Sequence, residues 1–321
     1  MAPTIGFHAS HEQFAPSRLL RLVKQAEQAG FQHIQSSDHI EPWGVEQGES
    51  GFAFAWLGAA MQSTNLNFTL VNAPGDRYHP AVVAQAIATL EEMFPGRFSV
   101  ALGSGEAMNE HITGNPWPPK HLRNQRLGEC AAVIRRLLDG ERVTYDGMVT
   151  VHDAKVWSRP ETPPPLYVAA LSPETARWAG TWADGLITVN QPEERMRAVA
   201  DAFHETAGEK PLLLQVHVCW AENEDTAAEM ALESWKGNML PGPVAQDVRL
   251  AEHFDMAAQF IKQEDVSSVV DVSSDPGWHA DNLLRYAGLG FSILNVHHVG
   301  PTQEQFVDFF GDKVLPQIRI A

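Results

Sequence analysis

In the first hundred residues, short apolar runs alternate with longer segments in which hydrophobic residues recur every three to four positions. Short apolar runs, typical of strands, occupy Thr4–His8, Asn67–Val71 and Phe98–Leu102, whereas Pro16–Ala29 and Pro80–Met93 carry apolar residues at the three-to-four spacing of a helix. Another strand ends near Asp38, before a short helix over Phe52–Met61. Because helices of about a dozen residues separate the strands, the pattern predicts a parallel sheet with crossover helices.

The same alternation continues to the end of the chain and gives eight or nine strands. That number and the 321-residue length favour an α/β fold, a (β/α)8 TIM barrel in one domain spanning residues 1–321. Asp146-Gly147 lies between two β-prone runs and predicts a hairpin. Val266–Val270 is interpreted as a further strand. Insertions are expected near residues 104–121, 141–158 and 222–262.

Charge and cysteine content narrow the class of partner. A formal charge of −17 argues against nucleic acid and anionic membranes, which bind clustered Lys and Arg. The two cysteines, Cys130 and Cys219, are interpreted as buried thiols in a reducing compartment. No signal peptide and no apolar run of about 20 residues is visible, so we expect a cytoplasmic protein, and we expect a homodimer.

Polar residues follow several predicted strands at their carboxyl ends, where a barrel carries its active site. The second strand offers Asp38, His39 and Trp43 within six residues, which is a pattern suited to proton chemistry. Residues at the other strand ends are His8 and Ser10, Asn72, the run Gly103-Ser104-Gly105-Glu106 with Asn109, the run Leu171-Ser172-Pro173-Glu174-Thr175, and His297-His298.

Each of these residues also has a purely structural interpretation. Asp38 could cap a helix, His39 could be a satisfied core histidine, and Gly103–Gly105 could be only a tight turn. Ser172 is first of all an N-cap, yet free N–H groups at such a helix start also bind phosphate. No GxGxxG motif follows the first strand, which argues against a Rossmann dinucleotide site.

Several stretches together resemble the luciferase-like monooxygenase superfamily, and within it the branch of coenzyme F420-dependent glucose-6-phosphate dehydrogenase. The matching stretches are His11–Pro16, Ser37-Asp38-His39 through Pro42-Trp43, Arg77–Val82, Gly103–Glu110 and Trp182–Gly185. The resemblance covers most of the chain and implies a luciferase-like barrel that binds a flavin or deazaflavin at its mouth.

The resemblance also implies roles for individual residues. Residues implied at the cofactor ring are Asp38, Val71, Asn72 and Ala73, with a non-proline cis peptide at Leu70–Val71. Residues implied along the rest of the cofactor are Ser104, Gly105 and Asn109, and at its phosphate end Leu171, Ser172, Glu174 and Thr175. His39 and Glu106 are implied as the proton-handling groups, and Trp43 is implied to pack against the substrate.

Two departures from the branch affect the choice of substrate and cofactor. The sixth-strand loop, Thr188–Pro192, and the segment Val266–Ser268 lack the basic residues that hold a sugar phosphate in the branch, so glucose 6-phosphate is not expected. Few cations are available for the polyanionic tail of F420. Phe94–Phe98 and Asn115–Lys120 resemble a subgroup that uses FMN. FMN is therefore the expected cofactor, with F420 as the alternative.

The sequence thus predicts a flavin-dependent oxidoreductase that transfers a hydride or oxidises a small organic substrate with oxygen, in which case a separate flavin reductase is an expected partner. Three alternatives stay open. A glycoside hydrolase would need a second carboxylate besides Glu106, for which Asp38 is the available residue. A metal-dependent hydrolase lacks a His-x-His pair on the first strand, so no metal ligand is proposed. A flavin-binding protein without catalysis is the third.

Overall fold

The structure is a computed structural model that describes residues 2–320, with side chains described for residues 2–318. The strands in chain order are β1 (Thr4–Ala9), β2 (His33–Ser36), β3 (Asn67–Asn72), β4 (Phe98–Leu102), β5 (Val143–Asp146), β6 (Thr150–Ala154), β7 (Leu166–Ala169), β8 (Leu186–Val189), β9 (Leu212–Cys219), β10 (Asp271–Val272) and β11 (Ile293–His298).

The α-helices are α1 (Pro16–Ala29), α2 (Ala53–Ser63), α3 (Pro80–Met93), α4 (Ala107–Glu110), α5 (Lys120–Leu138), α6 (Pro173–Ala179), α7 (Glu193–Ala207), α8 (Glu224–Trp235), α9 (Gly242–Ala245), α10 (Ala251–Ala258), α11 (Gln263–Val266), α12 (Pro276–Gly288), α13 (Gln303–Phe309) and α14 (Leu315–Ile320). Short 3₁₀ segments follow α4 and α8, and a π-helical segment, Phe310–Val314, joins α13 to α14.

Eight parallel strands close into a barrel, as the alternating pattern predicted. Their order around the ring is β1, β2, β3, β4, β7, β8, β9 and β11, and the pairing of Thr4 with Ile293 returns the ring to β1. β10 adds two residues beside β9. The fold is therefore a (β/α)8 barrel, and β5 and β6 form the antiparallel hairpin expected around Asp146-Gly147.

The predicted strand at Val266–Val270 is wrong. The chain instead forms α11 and continues in helical turns, with the Val270 N–H donating to the Val266 carbonyl at 2.9 Å. Val266 and Val270 are both buried, and their four-residue spacing places them on one helical face. The Asp265 carboxylate accepts the Lys262 N–H and so fixes the start of the helix. The strand begins only at Asp271.

The expected cis peptide at Leu70–Val71 is also wrong, because no cis peptide occurs among residues 2–320. β3 pairs with β4 in unbroken register through this bond, from Leu70 opposite Val100 to Asn72 opposite Leu102. Regular extended pairing of this kind is built from trans peptides.

Polar side chains from several barrel strands are hydrogen bonded to one another within the otherwise apolar core. The His33 ring contacts Asn295 Oδ1 at 2.7 Å and Thr69 Oγ1 at 3.0 Å, and Thr69 in turn contacts Ser99.

Both cysteines are free buried thiols, as expected. Across residues 2–320, no helix combines the length and apolarity needed to cross a bilayer.

Candidate active site

His39 lies between two carboxylates at the barrel mouth. Its Nε2 is 3.8 Å from Glu12 Oε1 and 3.9 Å from Glu106 Oε2. The three residues follow different strands, β1, β2 and β4, and meet because the carboxyl ends of parallel strands share one rim. The predicted convergence of His39 and Glu106 is present in the structure, with Glu12 as a third member.

Glu12 is the residue that the sequence reasoning missed. Its side chain is 3% exposed, and Oε2 accepts hydrogen bonds from Ser10 at 2.8 Å and from Ser37 at 2.9 Å. Burial opposes its ionisation, but His39 and the Ser37 hydroxyl outweigh burial and hold the pKa of this carboxyl below its usual value. Its position four residues beyond His8, in a stretch already matched to the family, was the available signal.

The pKa of Glu106 is shifted in the opposite direction from that of Glu12. Burial in the mouth raises the pKa of its carboxyl, His39 opposes that rise, and the neighbouring Glu12 adds to it. The pKa values of the two carboxyls beside the imidazole are therefore shifted in opposite directions, that of Glu12 toward the ionised form and that of Glu106 toward the protonated form. Such a pair suits distinct roles in proton transfer.

Trp43 covers the imidazole on its outer side. The two ring centroids are 5.3 Å apart, and Trp43 is held in turn by an edge contact to Phe254 of α10. The structure thus brings together the three residues predicted for catalysis, His39, Glu106 and Trp43.

The Asp38 carboxylate is part of a buried hydrogen-bond network and is not exposed at the barrel mouth. Its fully buried carboxylate accepts hydrogen bonds from Asn72 Nδ2 at 2.7 Å, from the Arg77 guanidinium at 3.1 Å and from the Tyr78 hydroxyl at 3.1 Å. Burial nevertheless raises the pKa of Asp38. Arg77 also donates its backbone N–H to Glu110, whose pKa burial raises to about 7. The network joins the loops after β2, β3 and β4.

Replacing Arg77 by methionine should lower the free energy of unfolding by about 3–5 kcal/mol, since Asp38 would keep a buried charge without its cation. Guanidinium denaturation at neutral pH measures the loss. Arg142, whose pair with Asp153 is exposed, provides the control, and its methionine variant should change stability by no more than about 1 kcal/mol. Equal losses in the two variants would contradict the role given to Arg77.

The residues assigned to the cofactor ring surround an unsatisfied acceptor. Asn72 Oδ1 is buried and has no hydrogen-bond partner among the described residues. Gly105 has φ +83°, and a Cβ there would lie 3.6 Å from Ala73 and 3.1 Å from Glu110. Val71 and Ala73 are partly exposed. The unpaired Asn72 carbonyl oxygen could accept a hydrogen bond from a ring N–H group, and the turn at Gly105, which lacks a side chain, leaves room for such a ring.

Other assigned residues have local partners. Asn109 Oδ1 accepts the Ile40 N–H at 3.0 Å and so fixes the loop after β2. Ser104 Oγ accepts from Lys120 Nζ at 2.7 Å, and burial lowers the pKa of this lysine to about 8. These contacts tie the loops after β2 and β4 to the rest of the rim.

The β7 end carries the residues assigned to the cofactor phosphate. Ser172 caps α6 by accepting the Thr175 N–H at 3.4 Å, as the N-cap interpretation predicted. Leu171 and Glu174 are exposed, and Thr175 is buried. Among the described residues, no side-chain hydrogen bond or ion pair joins this group to His39 or Glu106, so a ligand spanning the rim would have to connect them.

A chain of amides and imidazoles forms the inner wall of the mouth. His217 Nδ1 and Asn190 Oδ1 are 2.9 Å apart, so Nδ1 donates, and His217 Nε2 then accepts from the Gln215 amide at 3.1 Å. The same amide lies 3.2 Å from His297 Nδ1, which leaves His297 Nε2 to donate to Gln13 Oε1 at 2.9 Å. Burial lowers the pKa of His217 to about 3 and that of His297 well below its usual value. Both rings are neutral.

Comparison with known proteins identifies the family. The protein-family model described as Luciferase-like monooxygenase matches residues 2–292 of this chain. The chain belongs to the luciferase-like monooxygenase family. This oxidoreductase membership leaves the glycosidase and metal-hydrolase alternatives without support.

Similar proteins of the luciferase-like family include F420-dependent glucose-6-phosphate dehydrogenases. The chain is 37% identical over 326 residues to that of Microbacterium testaceum, covering 98% of this chain and 97% of the relative. It is 37% identical over 327 residues to that of Beutenbergia cavernae, with the same coverage of 98% and 97%. A solved F420-dependent secondary alcohol dehydrogenase, in complex with an F420-acetone adduct, superposes with a TM-score of 0.93 at 29% identity, covering 99% of this chain and 100% of that one.

Proposed function

We propose that the protein is an F420-dependent dehydrogenase that oxidises the CH–OH group of a small organic substrate to a carbonyl. The cluster of His39 between Glu12 and Glu106 carries the proposal, because it supplies an imidazole with two carboxylates of unlike ionisation at the barrel mouth. The F420-dependent relatives support this choice of cofactor. The expected preference for FMN finds no support in them.

The residues of this chain fit such a cofactor. Asn72, Val71 and Ala73 would hold its ring, Ser104 and Gly105 its middle, and the Ser172–Thr175 helix start its phosphate. When bound, F420 would supply the acceptor for the hydride that leaves the hydroxyl-bearing carbon.

The protein's own part is to move the hydroxyl proton. His39 Nε2 would accept that proton as the carbonyl forms, and the ionised Glu12 carboxylate would stabilise the resulting imidazolium. Glu106, with its raised pKa, would exchange the proton with solvent. Trp43 would hold the substrate against the imidazole. A correctly placed general base of this kind contributes about 10²–10⁴ in rate.

Titration with F420 and with FMN, each followed by its absorption spectrum, tests the cofactor. We expect F420 to bind at least tenfold more tightly than FMN and to be reduced when a secondary alcohol is added. Tighter binding of FMN, or failure of both to bind below millimolar concentration, would overturn the proposal.

Two glycine variants tie that binding to the assigned site. Gly105→Ala adds a Cβ 3.1 Å from the Glu110 side chain, which would have to move by a few tenths of an ångström, and fills space next to Ala73, so F420 affinity should fall at least tenfold. Gly114 has the same left-handed backbone but nothing within 4 Å of an added Cβ. Gly114→Ala therefore carries the same backbone cost and should bind F420 within threefold of wild type.

A further inference from the structure

A cavity of about 180 Å³ lies against Trp43, whose ring also contacts that of His39. It is lined by Gln13 and Trp43, from the loops after β1 and β2, and by Ser234, Lys236 and Asn238, at and after the end of α8. An apolar cavity of about 150 Å³ holds one benzene molecule, so this volume suits the end of a small substrate.

Two residues connect the cavity to the reaction site. The Trp43 ring is 5.3 Å from the His39 ring, and Gln13 accepts the hydrogen bond from His297 on the neutral inner wall. A substrate whose hydroxyl faces His39 would therefore direct its other end past Trp43 and Gln13.

The charges around the cavity disfavour an anion. Its lining contains three carboxylates, Glu46, Glu233 and Asp255, against one ammonium, Lys236, among the described residues. Glu12 and Glu106 add negative charge on the reaction side, where the wall histidines His217 and His297 are neutral. A carboxylate or phosphate would lose hydration here without gaining a matching set of cations.

The charges do not make the cavity a cation site either. Glu46 and Glu233 are exposed at its rim, where water screens them, and Asp255 already accepts the Val45 N–H at 2.9 Å. The lining also contains neutral amides, among them Asn238, whose buried Oδ1 has no hydrogen-bond partner among the described residues. Such a lining favours a neutral hydrogen-bond donor.

We propose that this cavity holds the far end of the substrate and that this end is uncharged and carries a hydroxyl group. The inference rests on the proposed function and adds the substrate class. The enzyme oxidises small neutral hydroxy compounds and discriminates against phosphorylated and carboxylated ones.

Three alcohols with one reacting group and different ends test the charge preference. Pentane-1,4-diol, 4-hydroxypentanoate and 5-aminopentan-2-ol share the secondary alcohol and end in a hydroxyl, a carboxylate and an ammonium. We expect kcat/KM for the diol to exceed that for the carboxylate at least thirtyfold and that for the amine at least threefold. Equal or better use of either charged compound would overturn the substrate class, while reduction of F420 by any of the three would leave the proposed function standing.

Filling the cavity tests its location. Ser234→Phe should raise KM for pentane-1,4-diol at least tenfold, yet leave kcat/KM for propan-2-ol, which is too short to reach the cavity, within threefold. Ser158, exposed between β6 and β7, provides the matched control, and Ser158→Phe should change neither value. An unchanged KM for the diol in Ser234→Phe would overturn the assignment of this cavity.

Calorimetric titration makes the inference independent of turnover. The three compounds are titrated into wild type and Ser234→Phe with F420 present at saturation. Binding of the diol ahead of the carboxylate, lost in the phenylalanine variant, supports the cavity even if oxidation fails. Binding of the carboxylate ahead of the diol would overturn it.

Discussion

Replacing His39 by asparagine is expected to lower kcat for alcohol oxidation by about 10²–10⁴, the usual contribution of a general base. Asparagine keeps a polar side chain at the position but cannot accept the hydroxyl proton from its place between Glu12 and Glu106. Stopped-flow reduction of F420 by a secondary alcohol measures the effect on the step itself. The affinity for F420 should stay within threefold, because His39 is assigned to the substrate and not to the cofactor.

Two further variants make this result specific to proton transfer. His152 is an exposed histidine on β6, and His152→Asn should retain full activity. Glu12→Gln removes the ionised neighbour but leaves the imidazole, so kcat should fall less than in His39→Asn and its pH profile should move. Turnover of His39→Asn within threefold of wild type would remove His39 from the chemistry.

The free energy of unfolding should fall steeply as the pH drops from about 6.5 to 4. Burial lowers the pKa of His8, His11, His33 and His279 to about 4, whereas the same rings in the unfolded chain titrate near 6.5. Between those values the unfolded chain binds more protons than the folded one. The stability from these neutral rings is therefore complete above pH 6.5 and is lost as the pH falls toward 4.

Each such ring contributes about 1.4 kcal/mol per pH unit to this slope. Urea denaturation at half-unit steps from pH 7 to 4.5 measures it. His33→Gln should flatten the slope by the share of one proton, since His33 is held neutral between Asn295 and Thr69. His253→Gln, at an exposed position, should leave it unchanged. A slope that is the same in His33→Gln and in wild type would show that the His33 ring is not held neutral.

Local patterns predicted much of the fold because they act within a few residues. α3 begins at Pro80 and ends at Met93 as predicted, and α1 ends at Ala29 as predicted, where Gly30 adopts the left-handed conformation that glycine tolerates. The strand predicted at Val266–Val270 was wrong because β-branched residues at four-residue spacing fit a helix face as well as a strand.

The site was less accessible to such reasoning because its partners are distant along the chain. His39 and Glu106 were found at their strand ends, but Glu12 needed the tertiary contact with His39 to be recognised. Likewise, nothing in the sequence near Asp38 shows that Arg77 and Tyr78 occupy its carboxylate. These contacts depend on which loops the closed barrel brings together.

The closure of the barrel through β1 and β11 also affects how the protein is made. β1 leaves the ribosome well before β11, and one of its edges stays open until Ile293–His298 has been synthesised. At about 5–20 residues per second, that interval lasts roughly 15–60 seconds. An open strand edge is a template for pairing with other chains, so the nascent protein has to be kept from aggregating throughout that time. Synthesis of the last strand therefore removes an aggregation hazard as well as completing the active-site rim.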